Sequence, residues 1–252
     1  MLDWLFKPSC PCDPAAKAWV EERLDWLTVE FEDHAYTGRR IVLPTTEFFR
    51  DPYDGSEESV RTLLDTVCGY MDVIPDLVDL NFTSTPQLGF VNDGGQAVGE
   101  AAGTFQEHFR GFLITLDRGG LNDAMGLVGT LAHELAHVRL IGENRIGGDA
   151  FDNEILTDLT VVHFGLGIFL ANTPRNWPSA FDRWPGTELL KPEYMTPPMF
   201  GWALAHLAWF RGEESPAWAK HLHSSARSNL KQGLRYLHAT ADSEYRPVRL
   251  RK

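Results

Sequence analysis

The chain reads TLAHELAHV from Thr130 to Val138, with two histidines four residues apart and a glutamate directly after the first. Side chains four residues apart in an α-helix lie on one face, one turn above the other. The imidazoles of His133 and His137 can therefore reach the same ion, and zinc takes such nitrogen ligands at about 2.0–2.1 Å. This spacing predicts a metal-binding helix and makes zinc the expected cofactor.

The glutamate of the motif, Glu134, lies beside the histidine face rather than on it. From there its carboxylate can take a proton from a zinc-bound water, whose pKa the metal lowers to about 7. We therefore predict that Glu134 is the catalytic general base.

The flanks of the motif are apolar on nearly every side, in a helix that we expect to begin after Asn122 or Asp123 and to run through Leu140. Such a helix is typical of the centre of a fold. Buried histidines and a buried carboxylate need compensation, and a metal ion would supply it. Gly126 and Thr130 are small and leave room for a neighbouring strand or a ligand. The alternative is a pair of satisfied core histidines with a surface glutamate.

A catalytic zinc site needs a third protein ligand and keeps one position open. Glu154 and Asp158 are again four residues apart and share one face of the next predicted helix. We predict that Glu154 ligates the metal and that Asp158 accepts the outward N–H of a ligating histidine. An acidic first helical turn is the alternative explanation for Glu154, and Glu143 is the second choice for the third ligand.

The His-Glu-x-x-His pattern on one helix with Glu-x-x-x-Asp on the next resembles the gluzincin metallopeptidases, the thermolysin-like clan. The likeness extends from about Val98 to Ala171 and is carried by His133, Glu134, His137, Glu154 and Asp158. It implies a zincin-like fold, zinc, a glutamate general base and an edge strand that binds a peptide or protein substrate in extended form. The segment Glu100–Phe105 sits where gluzincins place that strand.

The chain departs from the family pattern in two respects. Sixteen residues separate His137 from Glu154, so the turn between the two helices must be compact. Gluzincins also aim a histidine or tyrosine at the tetrahedral intermediate, and this chain has no clear match for it. Four residues could supply this group: Tyr194, His206, His221 and His223.

The rest of the chain predicts an α+β fold. Helical spacing predicts helices at 13–34, 56–72, 152–171, 199–211 and 215–238, with an irregular segment at 172–198. Strand patterns occur at 40–44, 78–82, 88–91, 98–105 and 111–116. The last four of these predict a small, mostly antiparallel sheet packed on the zinc helix. We expect a single zincin-like unit over 1–252, with an α/β lobe at 1–140 that carries the zinc helix and a helical lobe at 141–252.

Composition narrows the possible partners and location. The net charge of −12 argues against a nucleic-acid partner, since the basic residues are scattered apart from a short tail. No run approaches the roughly 18 apolar residues of a membrane span, and the start MLDWLFK lacks the features of a signal peptide. Three cysteines are a sparse, odd count that favours a reducing, cytoplasmic location. Cys10 and Cys12 could be half of a metal site. A turn-rich N-terminal segment is favoured instead, because no second pair of cysteines completes such a site.

These observations predict a zinc-dependent hydrolase, a peptidase or amidase acting on a peptide or protein substrate. An alternative is a catalytically inactive, zinc-bound binding or regulatory protein with the same fold. A third, weaker interpretation is a metal-free network of acids and histidines inside an interaction domain.

Overall fold

The structure is a computed structural model that describes residues 8–31, 38–84, 87–88, 100–101, 103–173 and 183–245. Its helices are α1 (Pro14–Glu30), α2 (Glu57–Met71), α3 (Ala124–His137), α4 (Asn153–His163), α5 (Gly167–Asn172), α6 (Pro197–Phe210) and α7 (Ser224–Thr240). Its strands are β1 (Val78–Thr83), β2 (Gln87–Leu88), β3 (Glu100–Ala101), β4 (Gly103–His108) and β5 (Gly111–Asp117). The predicted α+β class is confirmed.

The main sheet has three strands in the order β1-β5-β4. Strands β4 and β5 form an antiparallel hairpin in which Gly103 lies opposite Leu116, whereas β1 runs parallel to β5 with Val78 opposite Phe112. Strands β2 and β3 form a separate antiparallel pair. The sheet predicted as mostly antiparallel is therefore mixed, because the long connection from β1 to β5 allows a parallel pairing.

The chain divides into two compact units. One comprises Pro44–Asn153, in which α3 packs against both α2 and β4. The other comprises Met1–Leu43 and Glu154–Lys252, in which α6 packs against α1, α5 and α7. The single zincin-like unit with lobes at 1–140 and 141–252 stays a prediction. Each helix of the described residues is too short or too polar to span a lipid bilayer.

Helices α6 and α7 approach each other closely at two glycines. A Cβ atom on Gly201 would lie 2.3 Å from the Cβ of Asn229, and one on Gly233 would lie 2.8 Å from the Cβ of Ala205. Helix α6 is buried without interruption from Met199 to Ala208, as its apolar sequence predicts. One face of α7 therefore packs on α6, and its polar residues lie on the other.

Three predicted elements differ from the structure. The segment 40–44 is not a strand, although the Val42 N–H donates to the Gly165 carbonyl at 2.9 Å. The helix predicted through Ala171 ends at His163, because Gly165 adopts a left-handed φ of 90° beside the Arg40 carbonyl. The helix predicted from Ser215 begins only at Ser224, after a single 3₁₀ turn at Ala217–His221.

The other predicted elements agree within the described residues. Strands at 78–82 and 111–116 and the helices at 56–72 and 199–211 are confirmed, with ends that differ by one or two residues. The first helix is confirmed from Pro14 to Glu30, and its predicted end at His34 falls on residues that the structure does not describe. Most of the predicted strand at 88–91, and Val98 and Gly99 of the strand predicted at 98–105, also fall on residues that the structure does not describe.

Candidate metal centre

Helix α3 begins and is buried as its sequence predicts. The Asp123 carboxylate accepts the Gly126 N–H at 3.0 Å, which caps the first turn. Every residue from Leu127 to His137 is buried. The helix thus carries two imidazoles and a carboxylate into the interior, where polar groups need partners.

Three of the predicted site residues come together. The ligand atoms of His133, His137 and Glu154 all lie within 4.8 Å of one another. The two imidazole rings are nearly perpendicular, with centroids 4.8 Å apart, and both histidines are buried. Two imidazole nitrogens and a carboxylate oxygen are a donor set that zinc takes in catalytic sites, with the fourth position left for water or substrate.

Aromatic side chains of the sheet support His137. The ring of Phe105 on β4 stacks on the His137 imidazole at 6.0 Å between centroids, and Phe112 on β5 stacks on Phe105 at 5.6 Å. Both phenylalanines fall in predicted strands. Nothing in their local pattern marks them as neighbours of the histidine, because the contact depends on how the sheet packs on α3.

Glu134 lies against the start of β4. A Cβ atom on Gly103 would lie 3.2 Å from the Glu134 Oε1 and 2.9 Å from the Thr130 Cγ2. A side chain at this position would therefore displace Thr130 or Glu134 where the strand passes the helix. Thr130 lies against the strand here, and the small size of Gly103 is explained by this packing.

The chain leaves α3 through one wide turn. Helix α3 continues into a π-helical turn at Val138–Gly142, closed by the Glu143 N–H donating to the Val138 carbonyl at 3.0 Å. A Cβ atom on Gly142 would lie 2.4 Å from the Phe112 ring, so this glycine permits close packing on the sheet. Such π-helical turns occur often at functional sites.

Glu143, the second choice for third ligand, is engaged elsewhere. Its carboxylate pairs with Arg139 at 3.0 Å and with Arg145 at 2.8 Å. The group of potential metal ligands contains Glu154 and not Glu143. The arrangement of the ligand atoms therefore favours Glu154 over Glu143 as the third ligand.

Asp158 is buried on α4, with 2% of its surface exposed. Its Oδ2 accepts the Met195 backbone N–H at 3.0 Å. A carboxylate can accept several hydrogen bonds at once. Its predicted bond to a ligating histidine stays a prediction.

Two histidines outside the motif, His206 and His163, lie in packed surroundings. His206 is fully buried, with one ring nitrogen 3.0 Å from the Trp202 carbonyl and the other 2.9 Å from the Ser243 Oγ. His163 is also buried, and burial, together with the positive charge of Arg39, lowers its pKa to about 3. His163 is therefore neutral at physiological pH.

Comparison of the chain with protein-family models, with curated proteins and with solved structures finds no match. The function is therefore inferred from the residues of the site and from their arrangement.

Proposed function

We propose that this chain is a zinc-dependent hydrolase of the gluzincin type, with a zincin-like fold, that cleaves peptide or amide bonds. The observation that carries the proposal is the convergence of His133, His137 and Glu154, whose ligand atoms lie within 4.8 Å of one another. Two buried imidazoles beside a carboxylate fit zinc, because the ion compensates polar groups that are costly to bury alone. These three residues would hold the metal.

A zinc ion bound there supplies Lewis-acid chemistry, which polarises a carbonyl oxygen and makes water a better nucleophile at neutral pH. Glu134 follows His133 directly in α3 and supplies the proton transfers. Its carboxylate accepts a proton from the attacking water and then gives that proton to the leaving amine. A carboxylate in this position has no role in a purely structural metal site.

Strand β4 is suited to hold an extended substrate. Among the described residues it pairs on one side only, with β5, and an unpaired strand edge carries backbone N–H and C=O groups. A peptide that adds to this edge would form main-chain hydrogen bonds along the strand. Gly103 brings the strand against Glu134, so the bound backbone would run close to the general base.

Replacement of Glu134 by glutamine tests the assignment. Loss of the general base should lower kcat by about 10²- to 10⁴-fold on a fluorescence-quenched peptide library, while zinc content stays unchanged. The matched control is Glu143→Gln, which makes the same chemical change at a carboxylate paired with Arg139 and Arg145. Undiminished cleavage by Glu134→Gln would show that the role is wrong.

An inactive, zinc-bound binding or regulatory protein is the second candidate. The packing of His206 favours it, since this possible oxyanion partner is fully buried between Trp202 and Ser243. The two candidates differ in a digest of a broad peptide library by metal-replete protein. The hydrolase cleaves it in a Glu134-dependent manner, and the regulatory protein binds zinc without cleavage.

We also propose a cytoplasmic location. All three cysteines of the chain, Cys10, Cys12 and Cys68, are free thiols. Free thiols without disulfides are typical of a reducing compartment. A peptide or protein is the proposed substrate, and neither a nucleic acid nor a membrane is a proposed partner.

A further inference from the structure

Two cysteines lie close together just before α1. Cys10 and Cys12 are separated by one proline, and Cys12 directly precedes Asp13, the residue that caps the helix. The chain bends at Pro11 and Cys12, in the segment predicted to be rich in turns. Both cysteines are free thiols of intermediate exposure, so a small molecule can reach them from solvent.

The two side chains are in direct contact. The sulfur of Cys10 accepts hydrogen bonds from both the thiol and the backbone N–H of Cys12. Cα atoms two residues apart are separated by at most about 7 Å in an extended chain, and a bend brings them closer. Disulfides usually join Cα atoms about 4.4–6.8 Å apart. The pair can therefore close into a disulfide without a large movement of the backbone.

The surroundings make the two thiols chemically unequal. The hydrogen bond from the Cys12 thiol, together with the Cys12 N–H and the charge of Lys17, lowers the pKa of Cys10 against the opposing effect of burial. The same hydrogen bond raises the pKa of Cys12, and burial and the carboxylate of Asp13 raise it further. The thiolate is the form that attacks a disulfide. Cys10 is therefore the nucleophile of the pair, and Cys12 keeps its proton.

The backbone is anchored on both sides of the pair. On α7, the Gln232 Nε2 donates to the Cys10 carbonyl at 3.3 Å and to the Ser9 Oγ at 3.2 Å. On the other side, the Asp13 carboxylate caps the first turn of α1. These contacts hold the segment in the bend that keeps the two sulfurs together.

A metal ion is the alternative occupant of a cysteine pair. Structural zinc sites use four ligands. Among the residues that the structure describes, neither cysteine belongs to a group of three potential metal ligands. Redox chemistry needs only the two thiols, so it fits this pair better.

We propose that Cys10 and Cys12 form a reversible redox site that reacts with a low-molecular-weight disulfide of the glutathione class. The Cys10 thiolate attacks one sulfur of that disulfide, which forms a mixed disulfide on Cys10 and releases one small thiolate. The Cys12 thiol then gives its proton to the released thiolate, and its sulfur attacks the Cys10 Sγ and displaces the second small thiolate. In total, two protein thiols are oxidised to one disulfide and the small disulfide is reduced to two thiols.

The proposed disulfide suits regulation better than structural support. Accessible disulfides are more readily reduced than buried structural ones, and in a reducing compartment protein disulfides are usually transient. The site shares no residue with the metal centre, and its chemistry does not depend on the proposed hydrolase activity.

Reaction of the native full chain with glutathione disulfide tests the proposal, with the intact mass as the measurement. The wild-type chain should lose the mass of two hydrogen atoms and retain no glutathionyl group, and dithiothreitol should restore both thiols. The tryptic peptide that ends at Lys17 contains both Cys10 and Cys12 and locates the disulfide.

Single variants separate the roles of the two thiols. Cys12→Ser should retain one glutathionyl group on Cys10, because no second thiol displaces it. Cys10→Ser should acquire a glutathionyl group about tenfold more slowly than Cys12→Ser, because burial and Asp13 still disfavour the Cys12 thiolate. In urea the two variants should react at similar rates, since these surroundings are lost.

Cys68→Ala is the matched control. Cys68 is buried on α2, where burial raises its pKa to about 12, so this variant should react as the wild-type chain does. A glutathionyl group that stays on the wild-type chain would overturn the proposal, and so would equal native rates in Cys10→Ser and Cys12→Ser. A tenfold difference that persists in urea would also overturn it, because the fold would then have no part in the reactivity of Cys10.

Discussion

Asp158 is a carboxylate buried on α4, where an unpaired charge would be costly. The Met195 N–H donates to one of its oxygens, and a carboxylate can accept several hydrogen bonds at once. Carboxylates that accept the outward N–H of a ligating histidine raise its basicity and hold its ring orientation. A role of this kind would link Asp158 to metal affinity without direct contact with the ion.

Substitution of Asp158 by asparagine should lower zinc affinity by about 10- to 100-fold, because a neutral amide supports a ligating histidine less well. Competition with a chromophoric chelator measures the affinity. Asp152→Asn is the control, since Asp152 is equally buried, with 2% exposed. An unaltered affinity in Asp158→Asn would show that this residue does not support a ligand.

His163 predicts a pH dependence of stability. Its pKa is about 3 in the folded chain, lowered by burial and by Arg39, whereas an unfolded histidine titrates near 6.5. Between about pH 3 and pH 6.5 the imidazole is protonated in the unfolded chain but neutral in the folded chain. The contribution of this group to the free energy of unfolding is therefore complete above about pH 6.5 and is lost as the pH falls toward 3.

Replacement of His163 by leucine should therefore reduce the acid sensitivity of folding. Between about pH 7.5 and pH 5 the wild-type chain should lose about 2 kcal/mol of unfolding free energy through this group, and His163→Leu should lack that loss. Urea unfolding at the two pH values gives the difference. His238→Leu changes an exposed histidine and should keep the wild-type pH dependence. Identical slopes in all three proteins would contradict the prediction.

At the scale of elements, the contact of α3 with β4 joins the proposed metal-binding motif to the sheet. Gly103 is the point of closest approach, and Phe105 stacks on His137 two residues farther along the same strand. The strand therefore determines the space around Glu134 and the orientation of one imidazole. A change in β4 should affect catalysis even where it leaves the motif intact.

Gly103→Ala should lower both stability and turnover. The added methyl group would lie 2.9 Å from the Thr130 Cγ2 and 3.2 Å from the Glu134 Oε1, so strand and helix must separate or the carboxylate must move. We expect a loss of about 1–3 kcal/mol in unfolding free energy and a fall in kcat larger than any rise in KM.

Thr130→Ser removes the Cγ2 atom. Combined with Gly103→Ala, it should therefore restore part of the lost unfolding free energy. Gly69→Ala is the control, because no atom lies within 4 Å of a Cβ at that helical position. Gly69→Ala should be neutral or stabilising by about 0.5–1 kcal/mol. Wild-type stability in Gly103→Ala would show that the contact is looser than the structure gives.

At the scale of the whole molecule, metal binding should be coupled to folding. A ligand that binds only the folded state stabilises it by about 4 kcal/mol at a thousand times its Kd. Two of the proposed ligands come from α3 and the third from the start of α4, so the unfolded chain cannot present the same site.

Removal of metal should therefore lower the thermal midpoint of the whole chain. Calorimetry with and without a chelator measures the shift, and restoration by added zinc shows that it is reversible. His137→Ala should abolish the response to chelator, whereas His238→Ala should retain it. A midpoint that does not respond to chelator in the wild-type chain would contradict the coupling.

Much of the secondary structure could be predicted because it depends on local spacing. The Asp123 cap, the apolar sequence of α3 and the four-residue intervals of His133 to His137 and Glu154 to Asp158 are properties of single helices. Helix geometry alone decides which of these side chains share a face. The sequence therefore identified the three residues whose ligand atoms the structure brings together, although metal binding itself stays a proposal.

Tertiary structure decided what depends on distant segments. The parallel pairing of β1 with β5, the stacking of Phe105 on His137 and the fit of Gly103 beside Glu134 join residues with no shared local pattern. The end of α4 depends on Gly165 packing at the Arg40 carbonyl. Only the fold showed which face of α7 is buried, because its packing on α6 joins distant segments of the chain.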